Sequence, residues 1–60
     1  MNPYQQYPYK AQIKSENHFR AHLWCSKNIM KGLWSPDYER PNAFKFTLEK
    51  DYVIFLLRWS

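Results

Sequence analysis

From Tyr9 to Lys14 the chain alternates: Tyr9, Ala11 and Ile13 are apolar, and Lys10, Gln12 and Lys14 between them are polar. The alternation resumes as Phe19, Ala21, Leu23 and Cys25 against His18, Arg20, His22 and Trp24, the period of half-buried strands. A three-residue loop, Ser15-Glu16-Asn17, pairs Ile13 with Phe19, Ala11 with Ala21 and Tyr9 with Leu23, which keeps every apolar residue on one face. Asn17 tolerates the left-handed conformation that such a loop needs at its third position. A second hairpin follows the same logic. Phe44, Phe46 and Leu48 alternate with Lys45, Thr47 and Glu49, and the loop Glu49-Lys50-Asp51 sets Leu48 across from Tyr52, Phe46 from Ile54 and Phe44 from Leu56. The last segment, 52–59, is apolar on both faces and reads as a central or covered strand.

The pattern therefore predicts a mainly β fold: two antiparallel hairpins, about 9–25 and 43–59, forming a four-stranded sheet, with a turn-rich or short helical connection over 26–42. Ser35-Pro36-Asp37 and Arg40-Pro41-Asn42 read as turns. A small α+β fold is the rival, in which Ser15 caps a helix over 16–31, closed by Gly32 and packed on a C-terminal hairpin. The hairpin is preferred because Asn17, His18, His22, Trp24, Cys25 and Asn28 are mediocre helix formers. Residues 1–8, with Pro3 and Pro8, are expected to form an extended arm in which Tyr4 and Tyr7 are free to dock on a partner. Residues 9–60 then make one domain.

Charge sharpens this picture. The net +4 lies wholly in residues 1–35, where Lys10, Lys14, Arg20, Lys27 and Lys31 face Glu16 alone; four cations and four carboxylates balance over 36–60. In the hairpin register Lys10, Lys14, His18, Arg20, His22 and Trp24 share the outer face of the first hairpin. A basic face with one large aromatic suits an acidic surface on a larger protein, with Trp24 and Arg20 as anchors. The same face could follow a phosphate backbone and stack a base, so a nucleic acid is the alternative ligand. A third reading is a structural subunit of a larger assembly or a homo-oligomer; the apolar face of Val53, Phe55, Leu57 and Trp59 is expected to be covered by the chain's own 26–34 segment, with a partner or a second copy as the alternative.

Chemistry narrows the list further. His18, His22 and Cys25 have a spacing that puts them on one face only if the segment is helical, so the hairpin predicts no metal site. A cysteine on the core face is an unreactive one. Asp37 and Glu39, like Glu49 and Asp51, read as solvated turn carboxylates, and a single glycine excludes a glycine-rich phosphate loop. No catalytic residue and no cofactor are expected. A lone cysteine, no basic-then-apolar opening and an apolar run confined to Tyr52–Leu57 point to a cytoplasmic protein with no membrane partner. The expectation is a small non-enzymatic binding protein, a regulator or inhibitor.

Overall fold

The computed structural model describes residues 7–59. Its element order is β1 (Tyr9–Gln12), a 3-10 turn (Ser15–Asn17), α1 (His18–Asn28), β2 (Trp34–Asp37), β3 (Ala43–Phe46) and α2 (Glu49–Trp59). The three strands form an antiparallel sheet in the order β1-β3-β2. This is a small α+β protein, and the four-stranded sheet of two hairpins is overturned. Most of the arm expected over 1–8, Tyr4 included, lies outside the described residues.

The strands at 9–12 and 43–46 form where alternation predicts them, but they pair with each other. Tyr9 faces Phe46 and Ala11 faces Phe44, while on the other side of β3 Trp34 faces Phe46 and Pro36 faces Phe44. The segment read as a turn at Ser35-Pro36-Asp37 is an edge strand, a place where a proline without an N–H is tolerated. Arg40-Pro41-Asn42 does turn, in the loop between β2 and β3, and Asn42 takes the left-handed conformation there with φ 57°. That loop is tied to β1, since the Ile13 N–H donates to the Asn42 carbonyl at 3.0 Å and the Gln12 Nε2 donates to the Pro41 carbonyl at 2.9 Å.

The two segments taken for the return strands of hairpins are helices. In α1 the buried positions are Ala21 and Cys25, continued by Ile29 just past the helix, a spacing of four. Small side chains at 21 and 25 let the helix backbone come close to the sheet. Phe19 and Leu23, expected in the core, are exposed. Asn28 and Ser26 bond back to the carbonyls of Trp24 and His22, and the chain leaves the helix at Ile29 in extended conformation. It then turns through Met30–Leu33, with the Leu33 N–H donating to the Met30 carbonyl at 3.0 Å. Gly32 sits there at φ 95°, a conformation that a β-carbon disfavours.

In α2 the inward residues are Tyr52, Phe55, Leu56 and Trp59, spaced three and four apart. Glu49 and Asp51, expected in a hairpin loop, occupy its first turn and Arg58 its last, which suits the helix dipole at both ends. Both helices cover the sheet face from which Phe44 and Phe46 project. Phe44 meets His18 of α1 at 5.3 Å between ring centroids and Phe55 of α2 at 5.2 Å, while Phe46 meets Phe55 at 4.9 Å. Trp24 meets Phe55 at 6.2 Å and joins the two helices. The core is thus mainly aromatic, with Phe44, Phe46, Phe55 and Cys25 its largest fully buried side chains.

Candidate interaction surface

The six residues expected on one basic face are dispersed by this fold. Lys10 lies on β1, exposed, on the sheet face away from the helices; Lys14 is exposed at the start of the 3-10 turn. His18 and His22 are half-buried on the flank of α1 nearest β2, where the His22 ring stands edge-on to Trp34 at 5.2 Å. Trp24 is half-buried on the opposite flank, against Phe55. Arg20 alone projects outward from α1. The hairpin register that would have gathered them does not form.

Once α1 is a helix, His18, His22 and Cys25 occupy one sector of it, yet the thiol is turned fully into the core. Burial, reinforced by the nearby charge of Asp51, raises the Cys25 pKa from 9.0 to about 12, so the sulfur stays protonated and is a poor ligand and nucleophile. Among the described residues no three His, Cys, Asp or Glu side chains are placed to hold a metal ion. His18 and His22 open instead on a shallow cleft of about 430 Å³ bounded by the β2–β3 loop. Asp37, 4% exposed, stands at its edge with Oδ1 accepting the Glu39 N–H at 3.0 Å; Asp37 Oδ2 and His18 Nδ1 are both buried without partners. An Asx-type turn that holds the loop accounts for the first oxygen.

Two other surfaces carry large exposed apolar side chains. The outward side of α1 presents Phe19, 72% exposed, then Leu23 and Lys27 at successive i+4 positions, with Arg20 beside them; Met30, 71% exposed, and Lys31 follow past the helix end. No carboxylate side chain occurs from Asn17 to Pro36. The outward side of α2 presents Lys50, Val53, Ile54 and Leu57, at i, i+3, i+4 and i+7. At its end the Arg58 guanidinium lies 5.9 Å from the Trp24 ring and 5.6 Å from the Trp59 ring, which holds the cation over the seam between the helices. The exposed apolar residues of α1 were missed because the strand period sent Phe19 and Leu23 inward. The carboxylate-free run was visible in the sequence, and read with a helical period it marks this face.

The far side of the sheet forms a third surface. Lys10 and Lys45 are direct partners across β1 and β3, with Ser35 next in the row. Lys45 leans over the Tyr7 ring at 5.2 Å, and the Tyr7 hydroxyl donates to the Gly32 carbonyl at 3.4 Å. Like charges directly opposed across strands are unfavourable. No helix among the described residues is long and apolar enough to cross a membrane. Comparison of the chain with protein-family models, with curated proteins and with solved structures finds no match.

Proposed function

We propose that this chain is a non-enzymatic binding protein that docks on an acidic surface of a larger protein, as a regulator or inhibitor, through the outward side of α1. The observation that carries this reading is the pairing of exposed Phe19, Leu23 and Met30 with Arg20, Lys27 and Lys31 on a stretch without a carboxylate. Large exposed apolar side chains cost solubility unless something covers them, and three cations beside them select a partner rich in Asp and Glu. Aromatic and arginine side chains are also the residue types that most often dominate binding energy. The buried thiol of Cys25, held protonated, supports a packing role for that residue over a nucleophilic one.

The test is capture with the chain as bait after nuclease treatment, followed by calorimetric titration of the purified captured protein. The expected partner is acidic, survives nuclease, and loses at least tenfold in affinity on Phe19→Glu and on Arg20→Glu. A captured protein whose affinity is the same for both variants overturns the proposal.

A second reading rests on the opposed Lys10 and Lys45 on the far side of the sheet, whose mutual repulsion an anion would relieve. A nucleic-acid strand laid across that row would give binding that weakens steeply with salt. Each of Lys10→Gln and Lys45→Gln would lower the salt slope by roughly 0.7–0.9. No mobility shift of single-stranded or duplex DNA or RNA at low salt removes this reading.

A further inference from the structure

The spacing of His18, His22 and Cys25 carries chemistry only on a helix, and the segment is a helix. Cys25 drops out, because its thiol is turned into the core and stays protonated. The two histidines remain together. They stand four residues apart on the flank of α1 nearest β2, with ring centroids 6.4 Å apart and planes inclined by 35°. His18 Nδ1 is buried, but His18 Nε2 and both nitrogens of His22 are not, and no hydrogen bond within the chain occupies them. The rings are held from behind, His18 against Phe44 at 5.3 Å and His22 edge-on to Trp34 at 5.2 Å. An ion about 2.0–2.1 Å from one nitrogen of each ring bridges the pair once the rings tilt together.

The other wall of the cleft decides the sign of what enters. Asp37 is 4% exposed, its Oδ2 is buried without a partner, and no cationic side chain among the described residues pairs with it. Glu39 adds a second carboxylate to the lining, against the single cation Arg40. A carboxylate withdrawn from water and left unpaired favours a cation in the space beside it. We propose that His18 and His22 chelate a divalent late first-row transition ion in this cleft, with water in the remaining coordination positions. Two histidines at i and i+4 on one helix face suit zinc, and imidazole equally suits copper and nickel. Structural and catalytic zinc sites have three or four protein ligands, so an ion held by two is bound loosely and exchanges. The site lies on a different side of α1 from Phe19, Leu23 and Lys27. It stands whether or not that outward side meets a protein.

Calorimetric titration of the full chain, free of any purification tag, with Cu(II), Ni(II), Zn(II) and Mg(II) tests this. The expected result is one ion per chain, tightest for Cu(II), with Mg(II) inert because it prefers oxygen ligands. With Zn(II), the ring signals of His18 and His22 in nuclear magnetic resonance spectra move together along one saturation curve. Added Zn(II) also raises the urea midpoint, since the ion binds the folded chain in preference to the unfolded one. His18→Gln and His22→Gln each lower affinity at least tenfold, because even the outer partners of a ligand are worth about that much. Asp37→Asn lowers affinity by less, and Cys25→Ser leaves it unchanged. Both histidine rings pack on aromatic neighbours, so circular dichroism checks that each variant folds; if one does not, the paired ring shifts of the native chain decide. No binding at millimolar ion overturns the proposal, as does a shift confined to one histidine. Affinity that survives both histidine substitutions, or is lost on Cys25→Ser, overturns it too.

Discussion

Replacing Phe55 by alanine, and Leu57 by alanine in a separate variant, tests the architecture where the helical and extended readings differ most. In a strand the two side chains share a face and should cost similar amounts. In α2 they lie on opposite sides: Phe55 is wholly buried, with ring contacts to Phe44, Phe46 and Trp24, while Leu57 is 82% exposed. Truncating a buried phenylalanine removes its transfer free energy and leaves a cavity, about 3–5 kcal/mol together. A domain of this length has a total stability of only about 3–9 kcal/mol. Phe55→Ala is therefore expected to be largely unfolded or to melt at very low urea. Leu57→Ala should change stability by no more than about 0.5 kcal/mol. Urea titration followed by far-UV circular dichroism and by tryptophan fluorescence measures both. Equal destabilisation by the two substitutions would refute the helix, and with it the placement of both outward surfaces.

The Cys25 thiol should resist a chromogenic disulfide reagent at pH 8 in the native protein and react fully once urea unfolds it; prompt native reaction would contradict its burial. Its raised pKa also makes stability depend on pH. The unfolded thiol ionises near 9.0 and the folded one near 12, so the stabilisation is complete below pH 9 and falls as pH rises towards 12, by up to about 1.4 kcal/mol per unit. Cys25→Ser should flatten urea midpoints measured across that window. Gly32→Ala is expected to cost about 1–2 kcal/mol because φ 95° is unfavourable for any residue with a β-carbon, and an unchanged midpoint would show that the turn relaxes. Asp37→Ala, which removes the acceptor for the Glu39 N–H, should lower stability by about 1–2 kcal/mol, with Asp37→Asn retaining most of it.

The candidate surfaces were only partly visible before the fold was known. The concentration of positive charge in the first half of the chain is a property of sequence, and so is the run from Asn17 to Pro36 without a carboxylate. Which cations share a surface is not. Lys10 belongs with the sheet, Lys14 caps the 3-10 turn, Arg20 and Lys27 project from α1, and His18, His22 and Trp24 are drawn sideways into aromatic contacts. The apolar side chains exposed on both helices were assigned to a core by a period that does not apply to them.

What the sequence by itself determined was the two alternating strands at 9–12 and 43–46, the turn at Arg40-Pro41-Asn42, and the placing of Phe44 and Phe46 together on the apolar face of their strand. Tertiary structure decided the rest, because a spacing of four satisfies both periods. Ala21 and Cys25 share a face in a strand and in a helix alike, so alternation through 19–25 was genuine but not diagnostic. The discriminating steps are odd ones: His18 to Ala21, His22 to Cys25, and Tyr52 to Phe55, all inward or half-buried. Two of those three begin with histidine, whose side is set by the rings of Phe44 and Trp34 and not by its own polarity. With β3 paired to β1 on one side and β2 on the other, segment 52–59 has no edge of β3 to join, and segment 19–25 lies over the sheet face instead of along the free edge of β1. They bury their apolar sides by lying across the sheet, and a segment without a strand neighbour can satisfy its own backbone only as a helix.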